Sequence, residues 1–152
     1  MGVGEAETKT SQEEEMRYLL DTHVWLWSVT AAAKRVSTHF FAEIEAWQKS
    51  QTVFISPFSC WEIGLLVSKN QLRLNLPIDD LWRIDTAPDR LGIAQLSPDI
   101  LIESTRLPGK IHGDPADRIL VATAREYHMT LVTSDKLLLD YAKQGHVKAR
   151  RP

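Results

Sequence analysis

A chain of 152 residues is one domain's length, and folding at that size hides roughly 70% of the surface an unfolded chain exposes. Its 43% apolar and 25% charged residues exclude global disorder, and a lone cysteine, Cys60, excludes an internal disulfide. With 20 acids against 18 bases there is no polycation to coat nucleic acid by charge alone; no membrane span or secretory leader is legible, and the cytoplasm is the expected compartment.

Residues 1–15 hold almost no large apolar side chain and read as a disordered lead-in, so the fold is expected to begin near Met16. Arg17-Tyr18-Leu19-Leu20 is a short apolar run that ends at Asp21 and passes into a helix through Val24, Trp25 and Trp27. Ser37 opens a second helix, whose Phe40, Phe41, Ile44 and Trp47 recur at three- and four-residue steps. Thr52-Val53-Phe54-Ile55 is β-branched and aromatic, and Ser56-Pro57 caps a helix running to about Val67. Leu72-Arg73-Leu74 reads as a short extended piece and Pro77 to about Thr86 as a helix. Gly92-Ile93-Ala94-Gln95 reads as a third strand, before Ser97-Pro98 caps a further helix.

Asp114-Pro115 starts a helix whose face is Ile119, Leu120, Ala122, Thr123 and Tyr127. Leu131-Val132-Thr133 is a buried-type strand ending at Ser134-Asp135, and Leu137 to Tyr141 is helical again. Strands alternating with helices predict an α/β domain with a mainly parallel central sheet and right-handed crossovers.

Three strands end on an acid or lead to one within a helical turn or two: Leu20 into Asp21, Ile55 toward Glu62, and Thr133 through Ser134 into Asp135. Carboxyl ends are where open parallel sheets bind ligands. Asp114 and Asp117 lie three residues apart on the first turn of the Pro115 helix and can point the same way. Taken singly, each acid is equally explained as helix punctuation, with Asp114, Asp21 and Asp135 as N-caps and Glu62 and Asp117 as the acids of capping boxes. Taken together they ask for more, because Ser, Thr or Asn caps a helix as well as a carboxylate does. Two carboxylates about 4 Å apart at an effective dielectric near 20 repel by about 4 kcal/mol. Protons or a hard divalent cation must relieve that repulsion, and Mg²⁺ or Mn²⁺ takes carboxylate oxygens while keeping water in its other positions. Such a centre beside a phosphodiester is hydrolytic nuclease chemistry. The sequence contains no Gly-rich phosphate loop, Cys-x-x-Cys pair, Gly-x-Ser-x-Gly elbow or His-Glu-x-x-His motif.

Four ordered segments carry a likeness to a known family. They are Leu19-Leu20-Asp21-Thr22-His23-Val24-Trp25, Ile55-Ser56 through Ser59-Cys60-Trp61-Glu62-Ile63, His112-Gly113-Asp114-Pro115-Ala116-Asp117-Arg118 with residues 119–124, and Leu131-Val132-Thr133-Ser134-Asp135. From about Tyr18 to Val147 the chain resembles the PIN-domain family, and within it the VapC-type toxins of toxin–antitoxin pairs. The resemblance implies a three-layer fold over residues 16–148, followed by a basic tail at 149–152. It implies a Mg²⁺- or Mn²⁺-dependent endoribonuclease acting on RNA, a cognate antitoxin whose tail occupies the site, and a homodimer. Asp21, Glu62, Asp117 and Asp135 match the acidic, metal-holding quartet, Asp114 an extra acid of one branch, and Thr133 and Ser134 a polar pair whose hydroxyl can orient a metal-bound water.

His23 and His112 flank these acids, and packing is the first expectation for both, with RNA positioning the alternative for His112. Arg118 fits either a phosphate or a neighbouring carboxylate. Trp25, Trp47 and Trp61 fall among apolar helical positions and are expected inside; Trp27 and Trp82 are the candidates for a dimer or antitoxin surface. Cys60 reads as a buried thiol without chemistry, and the basic tail as a frayed, solvated end. Two other functions remain open from the residues. One is a non-catalytic module that binds a protein through its tryptophans. The other is a phosphatase with Asp21 as covalent nucleophile, although His23 stands where that class needs a second Asp.

Overall fold

The structure, a computed structural model, describes residues 16–30 and 36–152, so the expected lead-in at 1–15 lies outside the described residues. Five strands form one all-parallel sheet: β1 (Arg17–Leu20), β2 (Val53–Ile55), β3 (Gly92–Ile93), β4 (Met129–Val132) and β5 (Lys148–Arg150), in the order β3-β2-β1-β4-β5. Among the described residues seven helices flank it: α1 (Thr22–Val29), α2 (Thr38–Lys49), α3 (Pro57–Ser68), α4 (Ile78–Asp85), α5 (Pro98–Ser104), α6 (Pro115–Glu126) and α7 (Lys136–Ala142). None of the described helices is long and apolar enough to cross a membrane.

The pleat decides which side chain enters which layer. Leu20 and Val132 join Val24, Trp25, Phe40 and Ile63 in a core under α1 to α4, whereas their neighbours Leu19 and Leu131 join Ile100, Leu120, Leu138 and Tyr141 in a second core under α5 to α7. The chain steps outward from β1 to β2 to β3, then returns past β1 to β4 and β5. Right-handed crossovers require the covering helices to change face when the direction reverses, and the two cores show that change. The reversal leaves a topological switch point between β1 and β4, where α/β sheets open a crevice at their carboxyl ends. Register brings the acids there: Leu20 pairs with both Ile55 and Val132, so the next residues, Asp21, Ser56 and Thr133, leave the sheet at one level.

Most expected elements appear where their caps and periodicity put them. Ser37, Ser56, Ser97 and Asp114 each cap the helix assigned to them, their side chains accepting a backbone N–H. Residues 72–74, read as a short extended piece, join no strand of the sheet. One expectation is corrected. The basic tail is not frayed, because Lys148–Arg150 is the edge strand β5, in register with Thr130, Leu131 and Val132. Its anchor is long-range: Arg150 donates to both Glu43 oxygens at 2.6 and 2.8 Å, and its guanidinium lies 5.3 Å from the Trp47 ring centroid.

Candidate active site

Asp21 leaves β1 only 6% exposed, with its backbone N–H donating to the Val132 carbonyl. Its Oδ2 accepts the Thr133 hydroxyl at 2.6 Å, while the cap contact from the His23 amide to Oδ1 is long, at 3.4 Å. Glu62 lies on α3, one turn past Ser59. The helix is capped by Ser56, so Ser59 and Glu62 make no capping box. The Thr22 hydroxyl instead donates to Glu62 Oε1 at 2.6 Å and receives from Ser59 Oγ at 2.8 Å, with Thr22 1% and Ser59 0% exposed. Asp117, on the first turn of α6, accepts from His112 Nε2 through Oδ2 at 2.6 Å. The helix-punctuation reading therefore fails for Glu62 and for the carboxylate of Asp117.

It holds for the other three: Asp21 is the N-cap of α1 through that long His23 contact, and Asp114 and Asp135 cap their helices more tightly. Asp114 Oδ1 accepts the Asp117 amide at 3.1 Å, as an exposed N-cap. Asp135 Oδ1 accepts the Leu137 and Leu138 amides at 2.8 and 3.3 Å, which makes it the cap of α7. Asp135 nonetheless belongs to the same field, because its charge raises the pKa of Asp21.

Burial is the main force on the three inner acids. It pushes Asp21 above the ordinary carboxylate range; the Thr133 hydrogen bond and then His23 oppose the rise, and the charge of Asp135 adds to it. Glu62 is raised by burial, opposed by Thr22 and by His23, and raised further by the charges of Asp21 and Asp117. Asp117 is raised by burial, opposed by His112, and raised further by Asp114 and Asp21. Three elements thus carry acids into mutual electrostatic reach. No lysine or arginine among the described residues pairs with any of them. As placed, each is clamped by its own hydrogen bond, and no three His, Cys, Asp or Glu side chains among the described residues gather closely enough to hold a metal ion. The donor chemistry suits one all the same: desolvated carboxylates that have histidine and hydroxyl neighbours but no lysine or arginine partner are the hard oxygen ligands that Mg²⁺ and Mn²⁺ take.

The supporting residues divide. Thr133, 0% exposed, spends its hydroxyl on Asp21 and accepts the Asp135 amide at 3.0 Å, so it orients a carboxylate rather than a water. Ser134 is half-buried beside it. Arg118 pairs with no carboxylate among the described residues: its Nε donates to the Ser104 carbonyl at 2.9 Å and its NH1 to the His112 carbonyl at 3.4 Å, tying down the loop that carries His112. His112 does more than pack, since it holds Asp117. His23 is exposed. Thr22 and Ser59 were not foreseen as site residues; the one signal for Thr22 was a hydroxyl directly after the first acid.

The tryptophan expectations are corrected in part. Trp25 and Trp47 are buried, but Trp61 is 56% exposed. Trp27 and Trp82 pack half-buried against the first core, Trp82 edge-on to Trp25 at 6.0 Å. Cys60 is half-buried, its thiol donating to the Pro57 carbonyl at 2.8 Å. Beside the acids runs a groove of about 330 Å³ whose walls include Phe58, Trp61, Leu65, Glu62 and Asp114.

The PIN domain model matches residues 18–144. Ribonuclease VapC22 of Mycobacterium tuberculosis is 29% identical over 120 residues, 79% of this chain and 88% of that protein. Among solved structures, VapBC2 from Rickettsia felis bound to a promoter DNA fragment superposes with a TM-score of 0.65 at 20% identity, over 90% of this chain and 99% of that one. VapBC from Salmonella typhimurium bound to DNA superposes with a TM-score of 0.63 at 15% identity, over 90% and 98%. At those identities the structural likeness speaks for the fold.

Proposed function

This chain belongs to the PIN domain family, and from that premise we propose that it is a Mg²⁺- or Mn²⁺-dependent endoribonuclease, the toxin of a toxin–antitoxin pair, with Asp21, Glu62, Asp117 and Asp135 as its acidic centre. One observation carries the reading: Asp21, Glu62 and Asp117, from three different elements, are desolvated together, the charge of Asp21 raising the other two and that of Asp117 also raising Glu62, with no lysine or arginine partner among the described residues. A fold has no structural use for such a group, whereas a site that concentrates a divalent ion does. The ribonuclease among its relatives and the VapBC complexes among its structural neighbours support it. An antitoxin and a second copy of the chain are the partners that go with it.

A divalent ion held by these acids supplies Lewis acidity toward the phosphodiester and its attacking water. The chain's own residues do the positioning. Thr133 fixes Asp21, Thr22 with Ser59 fixes Glu62, and His112 fixes Asp117, which leaves for the centre the second oxygen of Glu62 and of Asp117 and, on Asp21, the Oδ1 that carries only the long His23 amide contact. Asp135 adds charge from the α7 N-terminus, and Ser134 is the neighbouring hydroxyl that can meet a water. The test is cleavage of a mixed structured RNA pool by the purified chain with Mg²⁺ or Mn²⁺, with chelator, and with Asp117→Asn. Cleavage lost in both controls is the expected result. No cleavage under any condition, with no calorimetric heat from Mn²⁺, would return the chain to the interaction-module reading.

A further inference from the structure

Trp61 is the only tryptophan among the described residues with more than half its surface exposed, at 56%, and it directly precedes Glu62 on α3. Nothing in folding rewards that exposure, because an indole turned inward on a helix this apolar gains burial. The exposed ring is braced. Phe58, one turn earlier, lies 5.1 Å from it, centroid to centroid, with the planes 33° apart, so the ring has an aromatic neighbour on its own helix while most of the residue stays open to solvent. The groove these rings line has Leu65 and Pro115 in its walls, and it includes Glu62 and Asp114, which makes it continuous with the acidic centre. Lys69, at the C-cap of α3, lines the same groove.

We propose that Trp61, braced by Phe58, is a stacking shelf for one unpaired base of the RNA beside the scissile phosphate, with Lys69 meeting the backbone phosphate beyond it; this rests on the nuclease reading. The chemistry of the walls selects the occupant. A neutral, flat base tolerates neighbouring carboxylates that would repel a phosphate, and every base offers a π-face to an indole. The backbone, which carries the charge, then runs toward the lysine. A duplex keeps its bases stacked inside, so the shelf selects single-stranded or looped RNA, and Trp61 acts on which bond is cut rather than on the cutting.

The test is a double-mutant cycle across the interface. A non-cleavable 2′-O-methyl heptanucleotide, made abasic at each position in turn, is titrated with Mn²⁺ present against the full chain, Trp61→Ala and Trp61→Phe, following anisotropy of an end label. At one position the missing base is expected to weaken wild-type binding about tenfold and Trp61→Ala by less than about twofold, with Trp61→Phe close to wild type. Equal losses in wild type and Trp61→Ala at every position, with Mn²⁺-dependent cleavage intact in both, would overturn the shelf and leave the nuclease standing. So would a Trp61→Ala chain that sediments as a smaller species with RNA affinity unchanged, since the ring would then belong to an interface between copies. A wild-type chain that neither binds nor cuts RNA removes the nuclease reading and the shelf with it.

Discussion

Asp21 and Asp85 are both buried aspartates, 6% and 3% exposed, and they do opposite jobs. Asp85, at the end of α4, receives the Trp25 indole N–H at 2.7 Å on one oxygen and Arg90 at 3.2 Å on the other. Asp21 has a hydroxyl and a long backbone contact, and its charged neighbours include other acids. The same contrast separates the two buried-side glutamates: Arg150 holds Glu43 below the ordinary carboxylate range, while burial lifts Glu62 above it. Burial alone therefore does not mark a site. A missing lysine or arginine partner does, because a buried carboxylate without a permanent positive charge beside it costs stability that an external cation or a proton relieves.

The sharpest way to break that contrast is to neutralise one member of each kind. Asp21→Asn is expected to reduce RNA cleavage at least 10²- to 10³-fold, about 3–4 kcal/mol of transition-state stabilisation, while leaving the metal-free chain as stable as wild type or more so. Asp85→Ala is expected to do the reverse. It strands the buried Trp25 N–H, costs about 1–3 kcal/mol and lowers Tm by several degrees, with cleavage per folded molecule unchanged. Thermal unfolding in chelator beside a cleavage assay reads both. An Asp21→Asn chain that cuts at the wild-type rate would remove Asp21 from the centre.

The next effect is pH and metal dependence, with opposite signs in the two regions. Ionising Asp21, Glu62 and Asp117 is harder in the folded chain than in the unfolded one, so stability is lost as pH climbs from the ordinary range, 3.8 to 4.5, through their raised values. Glu43 contributes stability that is present above its ordinary value of 4.5 and is lost as pH falls through its lowered one. In chelator, the Tm advantage of Asp21→Asn over wild type is expected to widen with rising pH and vanish in acid. At pH 7, Mn²⁺ at about ten times its Kd should add about 1.4 kcal/mol to wild type and less to the variant. A metal response equal in the two would show that the ion binds elsewhere.

Those signs depend on tertiary contacts that the sequence shows unevenly. The parallel sheet, its strand-end acids and the helix caps were legible because apolar runs, Ser-Pro and Asp-Pro junctions encode them locally. β5 was not: Lys148-Ala149-Arg150 is short, polar and at a sheet edge, and its anchor, Glu43, is 107 residues away. Trp61 misled because α3 is apolar on nearly every side, so periodicity gives no inner face. Arg118 reads as a ligand for anions, yet two backbone carbonyls, invisible to side-chain patterning, take it. Likewise the hydroxyls of Thr22 and Ser59, 37 residues apart, become one relay only when β1 and β2 align.

That relay gives the smallest predicted effect and the finest test of the contrast, since it asks whether a neutral donor does for Glu62 what a cation does for Glu43. Thr22→Val keeps the buried volume but removes the hydroxyl that holds Glu62 Oε1. Loss of that hydrogen bond is worth about 1 kcal/mol, so cleavage should fall about fivefold and more Mn²⁺ should be needed for half-maximal rate. Thr22→Ser restores the donor and should recover most of both. A purely structural role for Thr22 would lower Tm in the Val variant without moving the Mn²⁺ requirement. A shifted requirement that Ser reverses means the threonine aims the carboxylate, and that this site replaces counter-charge with hydroxyls so that its acids stay available to a cation from solution.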